Sequence, residues 1–140
     1  MNAPRRSAPF VSVLRYAWAS PNTLLGCVLV ILALASGGRA RVLDGVIEAH
    51  GGWLHPLLRR AVPLPGGARA VTFGHVVVAR TEMDLEETRV HERVHVRQYE
   101  RWGPLFLSVY LGSSVWSAIR GRGAYRGNRF EREAFERASR

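Results

Sequence analysis

The chain has 140 residues, a formal net charge of +9 and a hydrophobic content of 47%. This length suits one small domain with a modest core, and the hydrophobic content excludes a wholly disordered tail. All 20 basic residues are arginines, and they are spread along the chain without a dense tract, so nucleic acid is the least favoured partner. The single cysteine, Cys27, excludes an intramolecular disulfide and a cysteine-based zinc site.

The first apolar segment, residues 22–38, carries no charge and is flanked by Arg15, Arg39 and Arg41. A membrane-spanning helix needs about 17–25 apolar residues, so this segment is at the lower edge of that range. We predict that residues 1–40 form a basic segment and a membrane-associated helix, a single N-terminal anchor with anionic lipid as its partner. Two alternatives stay open. The segment fits the core of a signal peptide, giving a secreted protein, or a buried helix of a cytoplasmic protein.

The remainder, residues 41–140, is predicted to form the folded domain. Residues 41–50 alternate in polarity and indicate a β region, and residues 53–60 indicate a short helix. Residues 70–80 are rich in β-branched side chains and are predicted to form one internal strand. His75 lies in this strand among valines, which favours a hydrogen-bonded core histidine over a place beside the catalytic groups.

The most specific motif runs from His91 to His95 and reads H-E-x-x-H. The surrounding residues 84–102 contain no Gly or Pro and are predicted to form a helix, capped at Thr81 or Asp84. Residues four apart lie on one face of a helix, so the two imidazoles can bind one metal ion. Glu92 leaves the helix at another angle and can hold a water as general base. The motif therefore predicts a Zn²⁺ site.

A catalytic zinc ion usually has three protein ligands, so a third must come from elsewhere in the chain. Residues 128–138 are predicted to form a helix capped by Asn128, in which Glu131 is either a capping-box acid or the third ligand. Glu133 lies roughly 200° away around that helix, so the two carboxylates cannot both face one ion. The apolar residues 105–119 cannot cross a bilayer, because ligands about 2 Å from one ion cannot lie on both sides of roughly 30 Å of hydrocarbon.

The two motifs together, H-E-x-x-H and the E-x-E-A that begins at Glu131, resemble the gluzincin metallopeptidases, and most closely the HtpX-like and CAAX-prenyl-endopeptidase group. The resemblance implies a minimal zincin-like α+β fold, with a small sheet, the H-E-x-x-H helix and a C-terminal helix that carries the third ligand. It implies that His91, His95 and Glu131 bind Zn²⁺ and that Glu92 is the base. It also implies that extended substrate pairs with the strand before the zinc helix.

The chain departs from this family at Phe135, where the family has an Asp that orients a zinc-bound imidazole. Such partners typically change metal affinity or activity by about 10–100-fold. Gln98, Glu136 or a backbone carbonyl is expected to take that role. Tyr125 and Arg126, just before the last helix, are candidate donors to a developing oxyanion.

The function predicted from these motifs is zinc-dependent hydrolysis of a peptide bond in a peptide or protein substrate. Two other classes of function stay open. One is a non-catalytic, zinc-stabilised domain, and the other is a basic membrane-surface or nucleic-acid-binding protein in which the H-E-x-x-H is accidental.

Overall fold

The structure, a computed structural model, describes residues 9–140 and contains both helices and strands, so the α+β class is confirmed. A short 3₁₀ turn, Gly103–Leu105, joins the third and fourth helices. The elements in chain order are α1 (Pro9–Ala35), β1 (Arg39–Leu43), β2 (Val46–His50), α2 (Leu54–Ala61), β3 (Ala70–Phe73), β4 (Val76–Ala79), α3 (Glu82–Trp102), α4 (Phe106–Ile119) and α5 (Arg129–Ala138).

The four strands form one mixed sheet in the order β1-β2-β4-β3, in which only the central pair, β2 and β4, is parallel. Side chains alternate between the two faces of the sheet, so it has a core on each side. The core toward α1 and α2 contains Val30, Ala33, Ala49, Leu54, Leu58, Val76 and Val78. The core toward α3 contains Val46, Val77, Ala79, Leu85 and Val96. The sheet lies between α2 and α3, whereas α1 extends past the sheet and meets α3 in a third cluster that contains Ala19 and Tyr99.

The single strand predicted over residues 70–80 is wrong, because the chain reverses there into the hairpin of β3 and β4. Gly74 makes the turn with φ of 60°, in the left-handed region that favours glycine. A Cβ at Gly74 would also lie 2.2 Å from Thr23 Oγ1 of α1. Because β-branched residues lie on both sides of Gly74, the sequence indicates one continuous strand and not a turn. His75 consequently lies in the turn and not in a strand.

The β region over residues 41–50 is also a hairpin, formed by β1 and β2. Asp44 and Gly45 form its two-residue turn, with φ values of 51° and 76°. Both central residues of this turn class need positive φ, which Asp-Gly supplies at low cost. The short helix predicted after this hairpin is confirmed as α2.

The apolar N-terminal helix is longer than residues 22–38, since α1 begins at Pro9 and ends at Ala35. Pro21, inside it, has no N–H to bond the carbonyl of Ala17, and Ser20 Oγ donates to that oxygen instead, at 2.7 Å. Among the described residues, α1 is the one helix long and apolar enough to cross a membrane, which fits an anchor or a signal sequence. The division of the chain at residue 40 stays a prediction.

A buried carboxylate fixes α3 to the sheet. Glu48 of β2 is 1% exposed and accepts hydrogen bonds from Arg41 of β1 and from Arg89 and Arg93 of α3, at 3.1–3.2 Å. Burial alone would raise the pKa of Glu48, but the bonds from Arg89 and Arg41 outweigh it and lower the pKa. The carboxylate thus ties two strands and the long helix together.

α4 connects α3 to α5 and returns the chain to α3. This is the path expected if residues 105–119 do not cross a bilayer. Asn128 is fully buried, and its side chain connects α4 to α5 by hydrogen bonds. Its Oδ1 accepts from Phe130 N at 2.9 Å, which caps α5 as predicted. Its Nδ2 donates to Tyr110 O at 3.0 Å and to Ser114 Oγ at 2.7 Å. These bonds place the first turn of α5 beside α4.

Candidate metal centre

Three side chains that are far apart in sequence converge between α3 and α5. His91, His95 and Glu131 each offer one ligand atom, and these atoms lie within 4.8 Å of one another. The two Nε2 atoms are 3.1 Å apart. His91 Nε2 lies 3.0 Å from Glu131 Oε2, and His95 Nε2 lies 3.3 Å from Glu131 Oε1. The structure thus brings the three predicted ligands together as a candidate metal-binding group.

The spacing of these atoms fits a tetrahedral ion. Ligands about 2.0–2.1 Å from Zn²⁺ at tetrahedral angles lie roughly 3.4 Å from one another. The observed separations of 3.0, 3.1 and 3.3 Å are close to that value. Two imidazole nitrogens and one carboxylate are also a donor set that suits zinc.

Without a metal ion, His95 and Glu131 form a charged pair. Burial alone would raise the pKa of Glu131, but hydrogen bonds with His91 and His95 lower the pKa well below its usual range. Burial alone would lower the pKa of His95, but the hydrogen bond to Glu131 and the charge of Glu92 raise the pKa to about 9. Tyr110 of α4 donates to Glu131 Oε1 at 2.5 Å. The carboxylate of Glu131 therefore serves this cluster and not the capping box.

Gln98 orients one of the imidazoles. Its Nε2 donates to Phe130 O at 3.1 Å and to Glu133 Oε2 at 3.0 Å, which fixes the direction of the amide. Its Oε1 therefore faces His95 Nδ1, at 2.8 Å, and can only accept. This bond holds the proton of His95 on Nδ1 and leaves Nε2 free for a metal ion. Glu133 lies behind this bond, away from the ligand atoms, as its helical angle predicts.

Phe135, which stands where the family that the two motifs resemble has an Asp, has apolar and aromatic surroundings in the structure. The ring of Phe135 packs against His91 with centroids 4.6 Å apart. Arg126 Cζ lies over the Phe135 ring, 4.4 Å from its centroid, and the ring centroids of Tyr125 and Phe135 are 5.9 Å apart. Burial, followed by the charge of Glu131, raises the pKa of Tyr125, so its hydroxyl stays a donor. Tyr125 and Arg126 both line the cleft described below.

Glu92 is buried beside the three ligands. Thr72 of β3 donates from Oγ1 to Glu92 Oε2 at 2.6 Å. Sequence reasoning missed Thr72, because a threonine in a β-branched run reads as a strand former. It also missed Tyr110, which stands in an apolar segment and reads as part of the core. For both Thr72 and Tyr110, the feature that could have indicated a functional role was a hydroxyl group at a position expected to be buried.

His75 is not brought to this centre. It lies in the β3–β4 turn, where its Nε2 bonds Glu100 at 2.9 Å and its ring stacks on Tyr16 with centroids 4.0 Å apart. The hydrogen-bonded core histidine that the sequence favoured matches these contacts. A role for His75 beside the catalytic groups, either orienting a ligand or donating to an oxyanion, has no support in this position.

An open cleft of about 1240 Å³ leads to the candidate metal-binding group. One wall is β3, which is an edge strand of the sheet, and the opposite wall comes from α4. Residues on these walls include Thr72, Phe73, Leu107, Tyr110 and Leu111, and Tyr125 lines the cleft from the loop that follows α4. Most of these side chains are apolar or aromatic, as is usual for a binding cleft.

Comparisons of this chain with known protein families, with curated proteins and with solved structures found no match.

Proposed function

We propose that this protein is a zinc-dependent peptidase of the gluzincin type, built on a minimal zincin-like fold. The observation that supports it most is the convergence of His91, His95 and Glu131 beside an open cleft. Glu92 adds the acid–base group that hydrolysis needs, next to the ligands and in contact with the same cleft. A structural metal site is usually closed by four protein ligands, whereas this group has three described ones and faces solvent-accessible space.

In this proposal His91, His95 and Glu131 would hold Zn²⁺, which when bound would supply Lewis-acid activation of a water and of the scissile carbonyl. Glu92 takes a proton from the attacking water and passes it to the leaving amine. Thr72 donates to Oε2 of Glu92, so we assign the proton transfer to Oε1. The hydroxyl of Tyr125, which lines the same cleft, is the candidate donor to the developing oxyanion, and Arg126 contacts the same ring of Phe135.

The proposed substrate is a peptide or an extended segment of a protein. β3 pairs with β4 on one side, and the side chains of β3 line the cleft. An added strand on such an edge gains backbone hydrogen bonds with little side-chain selectivity. Leu107 and Leu111 of α4 offer apolar contacts opposite the strand. We further propose that the protein works at a membrane, where α1 holds it.

The proposal is tested with Glu92→Gln in the full chain. Fluorescein-labelled casein and a quenched peptide library are the substrates, and zinc content is measured on the same samples. Glu92→Gln should keep stoichiometric zinc and lose hydrolysis by at least about 100-fold, the lower end of general-base contributions. The matched control is Glu86→Gln, an exposed glutamate of the same helix. Equal hydrolysis by Glu92→Gln and wild type would remove the catalytic assignment.

A non-catalytic, zinc-stabilised domain is the second candidate, and Phe135 favours it. An apolar ring stands against His91 where the related family places a carboxylate. Stoichiometric zinc in the wild type, a lower melting temperature after its removal and no turnover of either substrate would establish this candidate instead. A preparation without bound metal would favour the third class, an accidental H-E-x-x-H.

A further inference from the structure

One face of α1 is docked on the folded domain along most of its length. Near its start, Tyr16 Oη donates to Gly45 O at 2.8 Å. In its middle, Asn22 Nδ2 donates to Gly103 O at 3.3 Å, and a Cβ on Gly26 would lie 2.6 Å from Val76 Cβ. Just beyond its end, Ser36 Oγ accepts from Trp53 N at 2.9 Å. At about 1.5 Å per residue, the docked length is about 30 Å.

The opposite face of α1 is apolar, exposed and free of charge. It forms a stripe down the helix, about 180° from the docked residues at about 100° per residue. A continuous stripe of large exposed apolar side chains along one helix face indicates a binding surface. Its large members are Val13, Leu14, Leu24, Leu25, Val28, Ile31 and Leu32.

A helix docked in this way cannot cross a bilayer. The docked length matches the hydrocarbon thickness of roughly 30 Å, so a spanning α1 would draw its docked partners into the hydrocarbon. These partners include the turn at Asp44 and the edge strand β1, which carries Arg39 and Arg41. Open sheet edges and charged turns are not tolerated in hydrocarbon. A docked α1 must therefore lie parallel to the membrane.

The charged residues of α1 and α2 are all basic. Both helices pack on the same face of the sheet, and neither contains an acidic residue. Arg15 of α1 and Arg59 and Arg60 of α2 are exposed, and so are the aromatic rings of Trp18 and Trp53. These cationic residues on two copies would repel each other, whereas anionic headgroups would neutralise them.

We infer that α1 lies in the plane of an anionic membrane surface, with its outer face inserted and its inner face on the sheet. An interfacial helix of this kind inserts about 5–10 Å into the boundary between headgroups and acyl chains. The protein is then held on one leaflet with its folded domain outside the hydrocarbon. This inference does not depend on the proposed hydrolysis.

Binding is tested by flotation of the full chain with vesicles of phosphatidylcholine alone or mixed with phosphatidylglycerol. The wild type should float with the anionic vesicles and at least tenfold less with the neutral ones. Leu24→Gln combined with Ile31→Gln should lose at least tenfold of the binding. Both residues are 67% exposed, so the change leaves the fold intact. The matched control, Val90→Gln on α3, replaces a residue that is 59% exposed and should bind like the wild type.

Orientation is tested by nitroxide labels at Val13→Cys, Leu24→Cys and Ile31→Cys in a Cys27→Ala background. A helix parallel to the membrane gives the same shallow depth at all three positions. A spanning helix gives depths that change over about 27 Å between the first and last label, and that result overturns the inference. Absence of lipid binding, with concentration-dependent dimerisation instead, also overturns it. Zinc content, measured on the same samples, reports separately on the proposed function.

Discussion

Gln98 is expected to set the zinc affinity of this site. Gln98→Met keeps the length of the side chain and removes the acceptor for His95 Nδ1 and the donor to Phe130 O and Glu133. Loss of a partner that orients a ligand imidazole typically costs about 10–100-fold in metal affinity, or about 1.4–2.7 kcal/mol. Three lost hydrogen bonds of about 0.5–1.5 kcal/mol each should lower the free energy of unfolding of the metal-free protein by about 2–4 kcal/mol.

The assay is a zinc titration in competition with a fluorescent chelator, next to thermal unfolding of the metal-free protein. Gln98→Glu is the informative control, because it keeps an acceptor for His95 but sets a second carboxylate beside Glu133. That variant should be less stable while holding zinc with affinity near the wild type. A folded Gln98→Met protein whose zinc affinity stays within about twofold of the wild type would refute the role given to this amide.

Three further predictions concern the positioning of Glu92, the pH dependence of zinc affinity and the pH dependence of stability. Thr72→Val should lower kcat at least about tenfold with little change in KM, because Glu92 loses its positioning bond, and Thr72→Ser should restore kcat; equal kcat in all three proteins would contradict this. Below about pH 9, the pKa of His95 in the metal-free protein, zinc must displace a proton, so affinity should rise about tenfold per pH unit from pH 7 and level off above pH 9. The raised pKa also predicts that His95 stabilises the metal-free fold below about pH 6.5, its ordinary value, and that this contribution is lost as pH rises through 9. A free energy of unfolding in EDTA that is no lower at about pH 9.5 than at about pH 6 would contradict it.

The parts of the fold that local signals determine could be predicted from the sequence. Thr81 caps α3, and Thr81 Oγ1 accepts from Asp84 N at 3.1 Å. Gly103 ends the same helix, and Asn128 starts α5. A cap, a helix former and a terminator act within one or two turns, so they can be read without knowing the rest of the structure.

The turn at Asp44 and Gly45 carries a local Asp-Gly signal, whereas the turn at Gly74 could not be predicted in the same way. Gly74 stands between segments whose strand propensity continues on both sides, and Thr23 Oγ1 of α1 supports the turn by accepting from His75 N at 3.1 Å. The extent of α1 also depends on tertiary packing, since its first half, before Pro21, docks on the domain through Tyr16. Contacts between distant parts of the chain override local propensity at such positions.

Some residues of the candidate site could likewise be predicted from local spacing, and others depend on tertiary packing. The spacing of His91 and His95 gives two ligands directly, because both lie on one face of a single helix. The residues alone left Glu131 as either a capping-box acid or the third ligand, and only the resemblance favoured the ligand, since its approach to α3 requires the return of the chain through α4. Thr72 and Tyr110 were missed because their hydroxyls meet Glu92 and Glu131 only after the sheet and α4 pack around α3.

Zinc content of the purified full chain tests the central claim most directly, with Glu131→Ala and Glu133→Ala measured beside the wild type by elemental analysis. We predict one zinc ion per chain in the wild type and in Glu133→Ala, because Glu133 bonds Gln98 and faces away from the ligand atoms. Glu131→Ala should lose stoichiometric zinc. A wild type without metal, or a Glu131→Ala protein that keeps one zinc ion per chain, would contradict the site itself.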